Sequence, residues 1–473
     1  MMRKTAFLVS IVMLAAAPSP AIDFIAESGL MLTTEASKAT PPANPFWLDV
    51  VGGLEHRSDE FSVIWLLAVS TEGRYPAPFL GGYYGGSAAE IVEAGMSVRL
   101  GPLDLAFGHL PNRDVIESPY SLFASGADRR ALIGEISYSG ERFFFMNRWI
   151  GLNANLDGGI YESEVTTDGA RLDSDRGAVL KYYGLKFGGL RVGFEDVSVY
   201  TGAYFDPLFF MNPAPGFFVQ YVSTASGRPW SRLGNQNSIL GFFADYDGGE
   251  WSAYGQVLVD DFNMNRFLDP SGVQNPDKVA LSLGGTWDSP WGFLGLHAAA
   301  ATKYTFSSVG GEFYSYTYYP GSAVYSGGYY VGIPLEEQMV GYVHGENSLA
   351  LMATWAAEIA GFALDTGLEF TLSGAKSPAN PWHDGEDWSE TGTRWLDSAL
   401  LEKRILASLD GSRAFGDFLV TLSCSFGYVA NRLALTVPAD ANSDGNQEPF
   451  WQPSTDSGLL GEFGLRVRYS LAF

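Results

Sequence analysis

The chain has a single cysteine, Cys424, in 473 residues, so no intrachain disulfide can form. No run of 18 or more apolar residues occurs, which excludes a membrane protein built from spanning helices. Basic residues are few: 29 Lys and Arg stand against 53 Asp and Glu, for a formal net charge of −24. A surface of that sign repels nucleic acid, so DNA and RNA are excluded as partners. Amphipathic patterns of period 3.6 are scarce, which argues against a soluble helical enzyme. The five histidines (His56, His109, His297, His344, His383) are scattered, and none stands at metal-ligand spacing from another. No nucleophile elbow, P-loop or dinucleotide fingerprint appears in a usable context. The nearest approach to a Ser–His–Asn constellation, His344-Gly-Glu-Asn-Ser348, lacks the spacing that would set His beside Ser on one strand face. The residues therefore point to a protein that is not an enzyme.

What is abundant is glycine (56), phenylalanine (32), tyrosine (24) and tryptophan (12). The chain opens with Arg3 and Lys4, an apolar stretch from Ala6 to Ala17, and small residues at Ser19 and Ala21. That is the pattern of a cleaved secretory signal over residues 1–21, whose loss takes the net charge from −24 to −26.

Alternation of apolar with small or polar residues over about ten positions then recurs along most of the chain. It is clearest at the end, where Phe463, Leu465, Val467, Tyr469, Leu471 and Phe473 share one face and Gly464, Arg466, Arg468, Ser470 and Ala472 the other. Two arginines on one face suit a wet lumen and not lipid. The same alternation runs over 61–69, 190–195, 251–260, 362–372 and 418–428, with Asp365 and Glu369 turned inward. Hairpin dipeptides separate strands at Gly101-Pro102, Ser139-Gly140, Gly188-Gly189, Gly248-Gly249, Ser289-Pro290 and Asp410-Gly411. Longer polar stretches lie near 161–177, 201–236, 262–277, 304–347, 374–398 and 431–458.

The fold class that follows is all-β: an antiparallel transmembrane β-barrel of about 16–18 strands, with short periplasmic turns and long extracellular loops. The bacterial outer membrane is the expected location. Residues 22–45 are assigned to a periplasmic lead-in or plug segment and 46–473 to the barrel. The last strand also resembles the C-terminal signal read by the barrel-assembly machinery, which joins membrane lipid among the expected partners.

Asp440-Ala-Asn442-Ser-Asp444-Gly445 matches the opening of a calcium loop, in which alternate oxygens converge and glycine makes the sharp turn. Trp451 stands where a bidentate acid belongs, with Glu448 three positions earlier as a partial substitute. An ordered Ca2+ site and a plain polar loop both remain open, and no other cofactor is indicated. Aromatic residues crowd 205–230 and 314–330, either as an interfacial girdle or as a stacking surface for sugars.

Several segments from Gly177 onward resemble the capsule assembly (Wzi-like) family of outer-membrane barrels. They include Asp206-Pro-Leu-Phe-Phe-Met-Asn-Pro213, Tyr254-Gly-Gln-Val-Leu-Val-Asp-Asp-Phe262 and Thr302-Lys-Tyr-Thr-Phe-Ser-Ser308. The resemblance covers about 175–350. It implies an eighteen-stranded barrel that anchors surface polysaccharide, with a small periplasmic helical element at its N-terminus. On the matching motif it marks Tyr254, Gln256, Asp260 and Asp261 as polysaccharide-binding or luminal residues, and the inward pattern adds Arg191 and Glu195. The expected function is a non-enzymatic barrel that binds, anchors or assembles capsular polysaccharide. A porin-type channel for small solutes is the alternative.

Overall fold

Residues that alternate with period two give a strand one apolar and one mixed face, and a sheet of such strands loses its exposed edges only by closing on itself. The structure is a computed structural model that describes residues 23–33, 46–72, 83–84, 87–125, 130–153, 175–219, 236–262, 265–269, 275–307, 315–319, 322–326, 329–376, 383–384, 387–388, 391–437 and 449–472. It shows a closed antiparallel barrel of eighteen strands.

In chain order the wall is β1 (Asp23–Thr33), β2 (Phe46–Arg57), β3 (Phe61–Ser70), β4 (Ser87–Leu100), β5 (Leu103–Pro111) and β6 (Arg130–Ser139). It continues through β7 (Phe143–Asn153), β8 (Arg176–Phe187), β9 (Leu190–Thr201), β10 (Gln236–Asp247), β11 (Trp251–Asp261) and β12 (Pro276–Ser289). The last third is β13 (Gly292–Ala301), β14 (Ser348–Ile359), β15 (Phe362–Ser373), β16 (Glu402–Phe415), β17 (Phe418–Ala430) and β18 (Gly458–Ala472). Each pairs with the next, and β18 closes on β1 in a register running from Asp23↔Ala472 to Thr33↔Glu462.

That closure corrects the N-terminal assignment. Asp23–Thr33 is neither a lead-in nor a plug but a full wall strand, hydrogen-bonded to β2 and β18. Its alternation is visible once its partners are known: Ile25, Gly29 and Met31 are buried, while Phe24 and Leu32 face outward. The described N-terminal residues contain no helical element. The signal segment 1–21 lies outside the described residues, as do Asp440, Asn442, Asp444 and Glu448 of the calcium-type loop. The choice between a calcium site and a polar loop therefore stands as the sequence leaves it.

Eight short connections fall at one end of the barrel, at 58–60, 101–102, 140–142, 188–189, 248–250, 290–291, 360–361 and 416–417. The expected turn at Asp410-Gly411 is not among them. Both residues lie inside β16, with Asp410 paired to Asp365 and Ser423, and the chain turns instead at Gly416, with φ of 60°. A glycine inside a strand passes for a turn when its neighbours are polar, and here β16 runs on for another turn-free four residues. The nine long connections all emerge at the opposite end.

At 360–361 the turn has two positive φ values, 54° at Ala360 and 77° at Gly361. That is the pattern of a tight hairpin turn, which glycine and asparagine accept more easily than alanine. Ala360→Asn is expected to raise stability by about 0.5–1 kcal/mol, read as a higher urea midpoint in detergent. An unchanged or lower midpoint would show that the position carries no strain.

The outer wall is apolar around much of the barrel, with Phe61, Trp65, Leu185, Phe242, Leu283, Leu368, Phe426 and Phe463 among its exposed side chains. A band of this kind is what a bilayer solvates. The inward faces carry the charges, including Arg466 within 4.0 Å of Glu27 and Arg468 within 3.7 Å of Glu55.

Candidate functional site

Part of the lumen is filled, and among the described residues the filling comes from two of the long connections. One is Asn112–Ser125, between β5 and β6; the other is the described part of 302–347, between β13 and β14. Tyr120, Leu122 and Phe123 from the first pack with Phe306, Tyr316, Val340 and Tyr342 from the second. The wall contributes Met146, Ile150, Leu180, Val197, Val199, Ile239 and Leu258 to the same cluster. Where the inserted chain comes closest the wall has small residues. Ala280, Ala299, Ala301 and Ala350 are buried against it, and a Cβ on Gly241 would collide with the Phe123 ring.

Apolar packing alone does not fix a loop in register; buried polar groups do, because each requires a partner at a set place. Gln256 of β11 is the centre of that arrangement and is fully buried. Its amide nitrogen donates to both Asp114 oxygens at 3.1 Å and to Glu195 Oε2 at 2.8 Å. Its carbonyl oxygen accepts from the Leu122 backbone N–H at 2.8 Å. Asp114 in turn accepts from the N–H groups of Phe123 at 2.8 Å and Ala124 at 3.1 Å. One amide thus ties both halves of the inserted loop to the wall, with two carboxylates held side by side.

Arginines secure the start of the loop. Arg148 donates to Asn112 Oδ1 at 2.9 Å and to the Arg113 carbonyl, and its charge is met by Glu135 at 2.6 Å. Arg191 pairs with Asp245 at 2.9 Å, reaches the Val115 carbonyl at 3.4 Å and lies over the Phe144 ring. On the far side Tyr120 donates to Glu369 at 2.8 Å, and the same oxygen meets His344 Nε2 at 2.8 Å. Burial pushes the hydroxyls of Tyr120 and Tyr316 well above their ordinary range, so both stay protonated and serve as donors. Tyr316 spends its proton on the Phe123 carbonyl, which links the two inserted segments. Ser125 N–H to the Val340 carbonyl at 2.8 Å is a second link. A Cβ on Gly341 would strike the Leu122 carbonyl, so only glycine allows this approach.

Of the six residues marked in the sequence, the structure gathers four at the plug: Gln256, Glu195, Arg191 and Asp260. Tyr254 lies nearby, stacked on His297 and 3.1 Å from its Nδ1. Asp260 and Asp261 part to opposite sides. Asp260 is buried against Lys278 at 3.1 Å and caps the Phe306 N–H at 3.1 Å, holding the second inserted segment. Asp261 accepts from the Asn275 amide at 2.9 Å. Asp114, Arg148, Tyr120 and Glu369 escaped the sequence reading as site residues. For Asp114 and Tyr120 the signal was the 112–125 stretch itself, too rich in Val, Ile, Tyr, Leu and Phe for a solvated loop.

The aromatic crowds resolve unequally. Tyr316 and Tyr318 are buried in the lumen, so they belong neither to a girdle nor to an outer sugar surface. Tyr221, Trp230 and Tyr314 lie outside the described residues. The described lumen retains a cavity of about 280 Å³ beside the plug, lined in part by Arg57, Glu93, Arg113 and Glu135.

No protein-family model matches the sequence, and no curated protein matches it either. Among solved structures, the chain is similar to Wzi of Escherichia coli, described as an outer membrane protein involved in group 1 capsule assembly and a carbohydrate-binding β-barrel. That match has 11% identity and a TM-score of 0.51, covering 95% of this chain and 84% of the other. Two outer-membrane proteins of Pseudomonas aeruginosa also align: OccK5 at 8% identity (TM-score 0.46, 96% and 98% covered) and OprD at 9% (0.44, 96% and 93%). At these identities the likeness establishes the fold, which is that of a bacterial outer-membrane β-barrel.

Proposed function

We propose that this chain is a non-enzymatic outer-membrane barrel that binds, anchors or assembles surface polysaccharide, with its short turns in the periplasm and its long loops outside. The observation that carries the reading is the plug of inserted chain packed against one side of the lumen. A wall that only has to hold loops at the cell surface gains from a packed interior, whereas a solute path needs a continuous wet opening. Gln256, Asp114 and Arg148 are fully committed to the inserted chain, so in this reading they are the frame and not the sugar contacts. Polymer would meet the outer ends of the loops, where acids and exposed rings such as Trp395 and Phe267 offer hydroxyl acceptors and stacking faces. The last strand would be the segment recognised during assembly, and lipid the solvent of its outer face.

A solute channel is the second reading, favoured by the charged cavity at Arg57, Glu93, Arg113 and Glu135. Planar-bilayer recording separates the two. The purified protein is expected to give no steady current, and its deletion to release polymer into the medium. Large steady currents, with capsule retained in the deletion strain, would overturn the anchor.

A further inference from the structure

The described part of one long connection packs against the outside of the wall. After β9 the chain folds back outside the barrel, and residues 203–219 lie flat on the outer wall of β7, β8 and β9. The two sides of the wall can be told apart by alternation. Leu180, Glu195 and Val197 belong to the lumen, so their neighbours Lys181, Asp196 and Ser198 point outward. Asn147 is register partner to Lys181, which is partner to Asp196, so these three form one polar row on the exterior. All are nevertheless buried, because the segment covers them.

The covering is matched group by group. Asn147 donates to the Phe210 carbonyl, and Lys181 Nζ to the carbonyls of Asn212 and Ala214, both at 2.8 Å. Tyr183 donates to the Pro213 carbonyl at 2.7 Å, and Trp149 Nε1 to that of Tyr204 at 2.8 Å. Asp196 accepts from the N–H groups of Gly216 at 2.6 Å and Phe217 at 3.3 Å. Apolar contacts complete the seat: Phe209 stacks on Tyr200, and Val219 packs with Trp149 and Val179. A short helix, α1 (Pro207–Met211), is capped by Asp206.

The face turned away from the wall is the opposite in character. Phe205, Leu208, Met211, Phe217 and Phe218 are all exposed, Met211 to 70%. They continue the apolar exterior of the barrel. The polar row lies six residues above the short-turn end of β9, roughly 20 Å along a tilted strand and within the ~25 Å apolar band of such barrels. Irregular backbone is tolerated at that depth only when its polar groups are satisfied by protein. Here the wall supplies the partners, and the strap in return shields a lysine and an aspartate from lipid.

We propose that residues 203–219 form a strap immersed in the acyl chains of the bilayer, with Phe205, Leu208, Met211, Phe217 and Phe218 as its lipid-contact surface. The strap depends on the membrane reading of the barrel and not on the polysaccharide.

The test uses the full chain with Cys424→Ser, labelled with an environment-sensitive fluorophore at Met211→Cys, in phosphatidylcholine vesicles carrying nitroxides on their acyl chains. Leu283→Cys, exposed on the bare wall, is the membrane reference. A strap in lipid gives blue-shifted emission and several-fold quenching by acyl-chain nitroxides, comparable with the Leu283 site, and little quenching by aqueous iodide. Iodide quenching at Met211 with nitroxide quenching at Leu283 would overturn the strap while leaving the barrel in place. Insensitivity to both, with crosslinking between copies, would also overturn it by showing a protein neighbour. Failure at Leu283 would instead refute the membrane reading. Adding Lys181→Met should move the Met211 label toward water while the Leu283 signal stays; the label at Phe218→Cys provides the same reading if Met211→Cys does not fold.

Discussion

Gln256→Leu is expected to destabilise the folded barrel by about 2–4 kcal/mol, because it removes the amide donor shared by the buried Asp114 and Glu195 side chains. The replacement fills similar space, so lost packing contributes little and the effect reports the polar tie. The Leu122 N–H loses its acceptor at the same time. Two readouts should move together: the urea midpoint in micelles falls, and transient currents appear in planar bilayers as the 112–125 loop leaves its seat. Asp261→Ala, five residues away on the same strand but held only at the rim through Asn275, is expected to change stability by less than about 1 kcal/mol. If both variants fall within that smaller range, Gln256 does not organise the plug.

Deleting residues 23–33 should abolish the folded barrel. Ten register pairs to β2 and eleven to β18 would vanish, exposing two long unpaired edges where the wall had none. A periplasmic lead-in would instead be dispensable. Heat-modifiable migration on a gel gives the answer: wild-type chain should run compact until boiled, and the deletion should run as unfolded chain at all temperatures. A deletion that still migrates as a compact, protease-resistant species would show that the seam is not required.

The wall was legible because lipid on one side and side chains or water on the other impose an alternation that survives in single strands. Phe463 to Tyr469, Trp251 to Val259 and Phe418 to Tyr428 read correctly without any knowledge of their partners. β1 was hidden by its mixed outward face, where Ala26 and Ser28 interrupt Phe24 and Leu30, and by standing just beyond the segment expected to be a signal. Asp410-Gly411 failed because an inward aspartate followed by an outward glycine on a strand uses the same residues as a turn. The plug was harder. Gln256 and Glu195 announced themselves as inward polar residues, but their partner Asp114 lies on a loop whose direction, into the lumen or into solvent, no periodicity encodes. The strap was least legible of all: Lys181 and Asp196 fall on the outward face, where alternation calls for apolar side chains, and only the covering chain explains them.

The β1–β18 seam also sets an order of events in time. Thr33 meets Glu462, so the final hydrogen-bonded ladder joins segments separated by almost the whole sequence. Contacts of such long range form slowly, since the entropy of closing so large a loop comes before any gain from pairing. Until β18 pairs with it, β1 is an open edge able to add a strand from any neighbouring chain. An unclosed sheet therefore carries an unpaired edge until the seam forms, and the seam is where a stalled or misregistered barrel would first be exposed.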